Sequence, residues 1–508
     1  MIPKRATPLL LAALIGGPWL AVTTLQAQDA NSAEVIKQLQ KRIEELEQKV
    51  KTIEGKSSEP RATEQKTKQR VEELDQEVKT IERERRMDAE AAEARAREAP
   101  KISIGEQGFL LSSAKGDFAL QLKGVLQVDS RTFFNDHGTV GNDGFLLRRA
   151  RPILQGTVFR DFDFLLVPDF GGTSGPQIFD AYLNYRPIPE LQFQAGKFKV
   201  PVGLEQLVAD RDTWFNERGF PSSVIAGRDL GFDLHGDLFQ GIVSYAAGIF
   251  NGVGDGRNSS NADFDDDKAF AGRLFFQPFK KTGMPALQSL GLGLGGSYED
   301  MQGTNTAGLP QTTGGSLAGF VTDGQQQFFA YNPTNKAVVV AAGEHWRVAP
   351  QAYYFYGPFS LLGEYTISEQ QVRRTATSPI TSRLLDNRAW EISAGWVLTG
   401  EEAAYSHGVI PRRPFNLLEG GWGAWQLVGR YGQLDIDRAA FPLYSDSKTS
   451  ARSAAEWSVG LNWYLNSSML LKTSFSRTTF TGGGGSGQTA PANRPAENVL
   501  FTRLQLAF

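Results

Sequence analysis

The last segment of this 508-residue chain alternates between two kinds of side chain. One face is almost wholly apolar, whereas the other mixes polar and apolar residues. The apolar face carries Leu500, Thr502, Leu504, Leu506 and Phe508, and the mixed face carries Phe501, Arg503, Gln505 and Ala507. A period of two with one apolar face is typical of a β-strand that has lipid on one side and water on the other. We therefore favour a membrane-exposed strand over the final strand of a soluble β-sandwich.

Three earlier segments repeat this alternation, and two of them place tryptophans on the apolar face. They span residues 118–131, 390–399 and 456–465. In the second segment, Trp390, Ile392 and Trp396 alternate with Glu391 and Ser393. Outward tryptophans near strand ends also fit the aromatic girdles that membrane barrels place at the two interfaces. The pattern predicts that spanning strands recur along the chain.

The N-terminus carries the features of a secretory signal peptide. Lys4 and Arg5 precede an apolar run over residues 9–22, and Ala27 offers a small residue at a cleavage point. We expect residues 1–27 to be removed on export. No other segment approaches the roughly 18 consecutive apolar residues that a spanning helix needs. A membrane protein without spanning helices has to be a closed barrel, since only closure satisfies every backbone N–H and C=O in lipid.

Residues 100–508 are the predicted barrel domain. At about 25 residues for a strand and its share of loop, this length gives about 16 antiparallel strands, and about 18 fit almost as well. The expected fold class is an all-β transmembrane barrel preceded by an α-helical coiled coil. Candidate long external loops are Asn251–Asp267, Gly303–Gln327 and Thr481–Arg494.

Residues 28–99 follow a different period and form a predicted periplasmic coiled coil. Apolar residues recur at alternating spacings of three and four, the heptad pattern of a coiled-coil seam. The seam consists of Ile36, Leu39, Ile43, Leu46, Val50 and Ile53 and, in the same phase, Val71, Leu74, Val78 and Ile81. Pro60 is expected to break or kink the helix between the two halves. Self-association is favoured over a solvated single helix, and the β-branched residues of the first half favour a dimer.

Composition and charge exclude several kinds of site. Of 53 basic and 56 acidic residues, 18 of each lie in the first 100 positions, which leaves 35 basic and 38 acidic residues for the barrel. This balance does not favour nucleic acid as a partner. Because there is no cysteine, disulfides, thiolate metal sites and cysteine nucleophiles are ruled out.

No catalytic, metal or cofactor site stands out, and the chain is not expected to be an enzyme. The four histidines show no metal-binding spacing. We expect His235 and His345 to be rim or solvated residues rather than members of a Ser/His catalytic pair. The acidic run from Asp263 to Asp267 lacks EF-hand spacing. It is expected to be a charged external loop rather than a cation site.

Arginines are the informative polar residues, because they outnumber lysines 24 to 11 beyond residue 100. Three of them crowd the predicted strand at residues 145–152. Arg149 and Arg151 share one face, which we expect to line the lumen, since an arginine facing lipid at mid-depth costs about 2–4 kcal/mol. Arg148 then points the other way, unless a β-bulge reorients it or it lies at the membrane rim.

A second group of arginines lies in Pro201–Arg228, a long segment without alternation. It holds Arg211, Arg218 and Arg228 among Asp210, Asp212 and Glu217. The segment is too long for a tight turn and is expected to fold into the lumen and narrow it. Its mixed charges either form a transverse field across a constriction or pair with each other to hold the loop, and the sequence leaves both open.

Four stretches of this region resemble a known family. They read FLLRRARPILQGTVFRDFDF (145–164), DAYLNYRPIPELQFQAGKFKVPVGLE (180–205), DRDTWFNERGFPSSVIAGRDLGFDLHGDL (210–238) and GIFNGVGDGRNS (248–259). They resemble the phosphate-selective porin O and P family of Gram-negative outer membranes, chiefly over residues 145–280, and the final Phe508 resembles the C-terminal signal of outer-membrane barrels. The resemblance implies a trimeric 16-stranded barrel with an inward third long loop and an anion path lined by arginine and lysine.

By this resemblance, eight residues belong to the pore. Arg148, Arg149 and Arg151 are the strand arginines, Arg211 and Arg218 lie on the inward loop, Arg228 lies where the chain rejoins the wall, and Lys197 and Lys199 lie at the matching strand end. The slight acidic excess of the barrel, its 11 lysines and the added coiled coil depart from the family pattern.

The resulting hypothesis is an outer-membrane porin for passive diffusion of small hydrophilic solutes, with anions such as phosphate as the expected class. Carboxylates or sugars are the alternative solutes, although no clear aromatic track for sugars shows on lumen positions. A different class of function is an envelope tether, in which the coiled coil contacts peptidoglycan and the barrel is an anchor. Expected partners are outer-membrane lipid, lipopolysaccharide and two further copies in a homotrimer.

Overall fold

The computed structural model describes most of the chain. The described residues are 37–52, 61–106, 108–134, 141–172, 175–261, 263, 266–303, 317, 319–332, 338–374, 381–485 and 492–508. The predicted signal peptide, residues 1–27, lies outside them. The chain divides into two units, Met1–Ala99 and Pro100–Phe508, which are considered separately below.

The first unit is helical where it is described. Helix α1 covers residues 37–52, and helix α2 covers Arg61–Glu98. Strong helix formers such as Glu, Arg, Lys and Ala dominate α2. Leu74 and Val78, which are two of the seam positions, are buried within a single chain. Their burial does not require a second copy, and self-association of the seam remains a prediction. Pro60 lies outside the described residues. None of the described helices is both long and apolar enough to cross a membrane.

The second unit consists of twenty strands among its described residues. They are β1 (Lys101–Gly105), β2 (Gly108–Ser112), β3 (Ala119–Phe134), β4 (Gly144–Val158), β5 (Phe162–Asp169), β6 (Gln177–Ile188), β7 (Leu191–Lys199), β8 (Arg228–Leu238), β9 (Val243–Phe250), β10 (Ala269–Phe276), β11 (Gly291–Gln302), β12 (Phe320–Val321), β13 (Gln327–Phe329), β14 (Val339–Tyr356), β15 (Phe359–Arg374), β16 (Thr381–Val397), β17 (Ala424–Asp435), β18 (Ala451–Tyr464), β19 (Met469–Gly482) and β20 (Glu497–Ala507).

Sixteen of these described strands, β3–β11 and β14–β20, close into an antiparallel barrel. Each pairs with the next along the ring, and β20 returns to pair with β3. The strand number of sixteen is therefore confirmed over eighteen. The β1–β2 hairpin joins the same sheet by pairing with the start of β3, where β20 has already ended. The short β12–β13 hairpin forms a sheet of its own.

The barrel closes through an ion pair as well as through backbone pairing. Arg503 of β20 lies directly opposite Asp129 of β3. Its guanidinium donates two hydrogen bonds to that carboxylate, at 2.6 and 2.7 Å, and both side chains are fully buried in the lumen. The pair is bidentate and thus geometrically specific, which fixes the register of the two strands where the ring closes.

The predicted alternation of the strands is confirmed. In β20, Leu504 and Leu506 face outward and are exposed in the isolated chain, whereas Arg503 and Gln505 are buried inside. In β16, the outward tryptophan at position 396 is likewise exposed. An outer apolar surface around a polar lumen is the pattern of a barrel in lipid.

The two ends of the barrel differ in the length of their connections. At the end that holds Phe508, hereafter the terminal end, most turns are short, for example residues 159–161 and 357–358. The connection at residues 398–423 is a long exception. The opposite, loop end carries long connections, including 200–227, 251–268 and 303–338.

The predicted external loop Gly303–Gln327 lies at the loop end, but its described part is not external. The β12–β13 hairpin buries Phe320, Phe328 and Phe329. These side chains join a core of wall residues inside the ring, which includes Val372 and Leu434. The prediction of an external position was therefore wrong for this part, because three phenylalanines close in sequence supply an apolar surface that is stable only when covered.

One glycine of the wall permits the segment at residues 200–227 to approach closely. Gly295 of β11 lies on the lumen side, and a Cβ built there would overlap the backbone carbonyl of Val202. A backbone oxygen cannot move aside as a flexible side chain can. Gly429 of β17 offers a contrast, since nothing lies within 4 Å of its Cβ position.

We expect Gly295→Val to push the segment at residues 200–227 off the wall, because overpacking at such a contact costs about 1–3 kcal/mol. Limited trypsin digestion of the folded protein, read by mass spectrometry, would then cut after Arg211 and Arg218. Gly429→Val is the matched control and should digest like the original chain. Equal protection in both variants would contradict this account of Gly295.

Candidate functional site

The segment at residues 200–227, hereafter the inward loop, crosses the lumen between β7 and β8. Side chains of the wall donate hydrogen bonds to its backbone carbonyls. The pairs are Gln127 to Asp210, Gln351 to Val202, Arg430 to Glu217, Asn462 to Trp214, Lys472 to Thr213, Arg503 to Asn216 and Gln505 to Arg211. The donors come from six strands, so the loop is fastened around much of the ring.

The backbone N–H groups of the loop also find partners on the wall. The Glu364 carboxylate accepts from the N–H of Leu204 at 2.9 Å and of Glu205 at 3.2 Å. The Tyr405 hydroxyl donates to the Leu204 carbonyl at 2.7 Å. Irregular backbone is tolerated at membrane depth only where it is buried in protein or lines a cavity with its polar groups satisfied. The prediction that this segment folds into the lumen is confirmed.

Arg148 reaches the lumen through a β-bulge. In the pairing of β3 with β4, Gln127 lies opposite Arg149 and Val128 opposite Leu147, which leaves Arg148 as the extra residue. Its guanidinium donates to both oxygens of Glu217, at 2.7 and 2.8 Å. Of the orientations that the sequence left open, the bulge is the one found.

Arg149 and Arg151 line the lumen as predicted, and both contact Asp210 of the inward loop. Arg151 forms an ion pair with Asp210 and donates to Asp169 at 2.6 Å. The Nε of Arg149 lies 3.5 Å from Asp210, and its Nη1 donates to Gln127 at 2.7 Å. The strand arginines are thus joined to the loop through a single carboxylate.

Arg218 and Arg228 complete the surroundings of that carboxylate. Arg218 Nη1 lies 2.5 Å from Asp210 Oδ1, and its other nitrogens donate to the carbonyls of Glu205 and Val208. Arg228 donates to Asp180 at 2.8 Å and lies 3.9 Å from Asp210. Of the two arrangements that the sequence allowed for these charges, the structure has the paired one that holds the loop.

The pKa values of the loop carboxyls follow from this pairing. Burial would raise the pKa of Asp210, but Arg218, Arg149, Arg151 and Arg228 hold it well below its ordinary value. Burial would likewise raise the pKa of Glu217, and the adjacent Arg148 guanidinium lowers it below its usual range. Both carboxylates are therefore ionised at any ordinary pH.

An aromatic ring supports two of the arginines. The guanidinium carbons of Arg151 and Arg228 lie 3.5 and 3.6 Å from the ring centroid of Phe179 in β6. A cation over an aromatic face is attracted to the ring quadrupole, more strongly when both are removed from water. Phe179 was not selected from the sequence, because the arginines that it contacts are distant from it in the chain.

The remaining predicted pore residues lie outside the arginine group. Lys197 donates to the Ser259 carbonyl at 2.6 Å, which ties it to the connection after β9. Lys199 donates to the Val208 carbonyl at 2.7 Å and holds the inward loop. Arg211 pairs with Asp212 at 3.3 Å and is partly exposed. The structure thus groups five of the eight predicted residues around the two loop carboxylates.

A cavity of about 760 Å³ lies between the arginine group and the β12–β13 hairpin on the loop side of the inward loop. We call it the loop-side cavity. Seven arginines line it: Arg131, Arg148, Arg149, Arg151, Arg218, Arg228 and Arg257. Four carboxylates line it: Asp169, Glu217, Asp255 and Asp323. Its wall is therefore positive overall, although the barrel as a whole is not.

Two of these arginines were missed in the sequence. The Nε and Nη2 of Arg131 have no hydrogen-bond partner among the described residues, although Glu217 lies 3.7 Å away. For Arg257, no side-chain hydrogen bond or ion pair is formed within the described part of the chain. Arg131 shares the lumen face of β3 with Gln127 and Asp129. The alternation of the sequence does indicate that these three residues lie on one face. Arg257 lies in a loop and carries no such signal.

His345 corrects one prediction, because it is neither solvated nor at the rim. It is fully buried, with Nε2 3.0 Å from Ser368 Oγ and Nδ1 2.8 Å from Glu299 Oε1. This is the order of a Ser–His–acid triad. However, the Ser368 hydroxyl donates to Asp255 at 2.7 Å and is itself fully buried. With Arg347, which also pairs with Asp255, the group holds the connection 251–268 against the wall.

The other two candidates from the sequence are His235 and the acidic run from Asp263 to Asp267. His235 is half-buried, with Nδ1 3.0 Å from Asp233 Oδ1. In the acidic run, Asp263 pairs with Lys268 at 2.7 Å, while residues 264 and 265 lie outside the described residues. Across the described part of the chain, no cluster of His, Asp and Glu is arranged to hold a metal ion.

The lumen contains an aromatic cluster that the sequence did not show. Phe275 lies 4.8 Å from Tyr353, and Tyr353 stacks on Tyr405 at 4.8 Å. Phe355 and Trp214 extend the contacts. These rings come from two strands, the inward loop and the connection 398–423, so no single strand reveals them. They pack against one another, which identifies them as contacts that hold the loop and the connection together.

The comparison with known families fits this geometry. Residues 120–508 match the model of the family described as phosphate-selective porin O and P. The chain belongs to this family. It is accordingly a porin of the outer membrane. The match covers the whole ring from β3 to the end of β20 and leaves the helical unit outside.

Solved structures that resemble this porin are themselves outer-membrane proteins. The channel DcaP of Acinetobacter baumannii is 10% identical, with a TM-score of 0.47 over 78% of this chain and 98% of that one. OmpT of Vibrio cholerae is 9% identical, with a TM-score of 0.45 over 77% and 98%. OmpF of Salmonella typhi, in complex with daunomycin, is 11% identical, with a TM-score of 0.45 over 80% and 100%. No curated protein matches the sequence.

We expect Glu217→Gln to loosen the inward loop, because Glu217 balances Arg148, Arg503 and Arg131 at once. Removing one partner of a buried ion pair costs about 3 kcal/mol at the low end. Urea unfolding followed by tryptophan fluorescence would show the lower midpoint. Glu190→Gln, on an exposed turn, is the control with the same charge change. An equal midpoint for the two variants would contradict the assigned role.

Proposed function

We propose that this porin conducts small anions, and oxyanions such as phosphate in particular. The observation that carries the proposal is the loop-side cavity, with seven arginines against four carboxylates. Rings of arginine or lysine favour anions in pores, whereas rings of aspartate or glutamate favour cations. The cavity lies in the lumen beside the inward loop, and Gln206, Glu217 and Arg218 of that loop line it.

The cavity also offers hydrogen-bond donors that are not used by the protein. The free N–H groups of Arg131 and the side chain of Arg257 face it without a hydrogen-bond partner among the described residues. The buried hydroxyl of Ser222 lines it in the same condition. A planar guanidinium donates two parallel bonds to a carboxylate or phosphate. This donor set therefore suits oxyanions better than neutral sugars.

The near-neutral charge of the barrel does not oppose the proposal, because screening makes selectivity local. At physiological ionic strength the Debye length is about 8 Å. Charges on distant loops are therefore largely screened, while those that line a cavity act on a solute directly. The chain carries positive charge where a solute is confined and acidic residues elsewhere.

The double variant Arg131→Gln and Arg257→Gln should weaken anion selection. We expect the chloride-to-potassium permeability ratio to fall and phosphate to block the channel about tenfold less strongly, since each lost guanidinium removes a charged donor worth about 1.5–3 kcal/mol before screening. Planar-bilayer recordings in a KCl gradient, with phosphate titration, give both numbers.

The control for this pair is Arg388→Gln, because Arg388 is exposed, pairs with Asp386 on the same strand and does not line the loop-side cavity. It should leave the permeability ratio unchanged. If the original protein forms open channels with no anion preference, the porin assignment stands and the anion proposal fails.

We propose further that the porin forms a homotrimer in contact with outer-membrane lipid and lipopolysaccharide, with the helical unit in the periplasm. The exposed apolar outer surface supports lipid contact. The heptad seam favours a role for the helices in self-association or, as a second function, in contact with peptidoglycan. The in-phase repeats at residues 36–53 and 71–81 are the observation that favours this.

Deleting residues 32–97 separates the two functions. We expect single-channel conductance to be unchanged, because every described residue that lines the loop-side cavity belongs to the barrel domain. Oligomeric state, read by native mass spectrometry, should change if the seam joins copies. Loss of envelope integrity with intact conductance would support the tether, whereas lost conductance would contradict the separation of pore and helices.

A further inference from the structure

A second cavity lies on the terminal side of the inward loop. Its volume is about 390 Å³, and Lys199, Leu207 and Asp180 are among the residues that line it. We call it the terminus-side cavity. Residues of the inward loop and of strands β4, β6 and β8 separate this cavity from the loop-side cavity.

Charged side chains form the partition between the two cavities. Arg228 lines the loop-side cavity, and its partner Asp180, 2.8 Å away, lines the terminus-side cavity. Asp210 lines neither and is 7% exposed. Its carboxylate joins the wall arginines Arg149 and Arg151 to Arg218 of the loop. Ion pairs, together with the contacts of Arg151 and Arg228 with the Phe179 ring, thus hold the partition.

The position of the Asp210 carboxylate is that of a bound anion. Four guanidiniums surround it, at distances up to 3.9 Å. Three of them belong to strands β4 and β8, which are fixed in the wall. The fourth, Arg218, belongs to the same loop as Asp210. The carboxylate can therefore leave the wall arginines and still keep one charged partner.

We propose that Asp210 is the specificity-determining residue of the pore: a tethered carboxylate that occupies the anion site between the two cavities and that a permeating oxyanion displaces. This rests on the proposed anion conduction. A monatomic anion offers no pair of oxygens to the planar forks, whereas carboxylates and phosphates do. The two oxygens of the tethered carboxylate divide between the four arginines: Oδ2 faces Arg149, Arg151 and Arg228 of the wall, and Oδ1 faces Arg218 of the loop. The site therefore favours solutes that present at least two oxygens.

The test is Asp210→Asn, recorded in planar bilayers with inorganic phosphate as the probe. We expect phosphate to block at a concentration at least tenfold lower than in the original protein, because the competing charge is gone, and chloride conductance to rise. Asp212→Asn is the matched control on the same loop, since Asp212 contacts Arg211 and the N–H of Gly408 but none of the four arginines. It should stay within twofold of the original.

The outcomes separate this proposal from the one on which it rests. If the original protein shows no anion preference, both fail. If it prefers anions and Asp210→Asn leaves phosphate block and chloride conductance unchanged, anion conduction stands and the role of Asp210 is overturned. If the change in phosphate block in Asp210→Asn is no larger than that in Asp212→Asn, the role of Asp210 is likewise overturned.

A second pair of variants covers the case in which Asp210→Asn does not assemble. Arg218→Gln and the double variant D210N/R218Q differ only at position 210, and the double variant removes the two opposite charges of the loop together. We expect phosphate to block the double variant at least tenfold more strongly than Arg218→Gln. Equal block in the two would overturn the proposal.

Discussion

Hydrogen bonds from wall side chains to the backbone of the inward loop are the constraint on which the rest of this structure depends. A segment of irregular backbone inside a barrel exposes carbonyl and amide groups that no neighbouring strand can pair. Here Gln351, Asn462, Lys472 and other lumen residues supply donors, and Glu364 supplies an acceptor. The lumen face of the strands is therefore polar for a structural reason, before any solute is considered. The proposed selection of anions would depend on which charged side chains complete this polar face.

The same arrangement explains why the arginines of the wall are only partly available to a solute. Arg151 donates hydrogen bonds to Asp169 and Asp210, and Arg228 donates one to Asp180. A fully unpaired cluster of this size would repel itself at the effective dielectric of a protein. Carboxylates balance most of the charge of these arginines, and a modest positive excess is left at the loop-side cavity. Under the proposed anion conduction, this excess at a confined place is what would select the solute, while the paired carboxylates hold the loop.

Much of the fold was predictable from local pattern, and the limits have physical causes. Alternation in the final segment correctly placed Arg503 and Gln505 in the lumen, because a period of two is a property of the strand itself. The orientation of Arg148 was open, since a bulge depends on the register with β3 and not on β4 alone. The burial of His345 and the packing of Tyr405 against Tyr353 were missed for the same reason. Each depends on residues that are distant in sequence and meet only when the ring and its long connections are complete.

The seam between β3 and β20 has a consequence for how the barrel forms. Asp129 and Arg503 are separated by 374 positions in the chain, so their contact belongs to the slowest class of contacts to form. Until it forms, both strands present unpaired edges that invite pairing with other chains. The burial of two opposite charges at this place then penalises a wrong register, because a slip of β20 by one residue would turn Arg503 toward lipid and leave Asp129 in the lumen without its partner. Assembly in the wrong register is thereby penalised at the last step, when it is hardest to reverse.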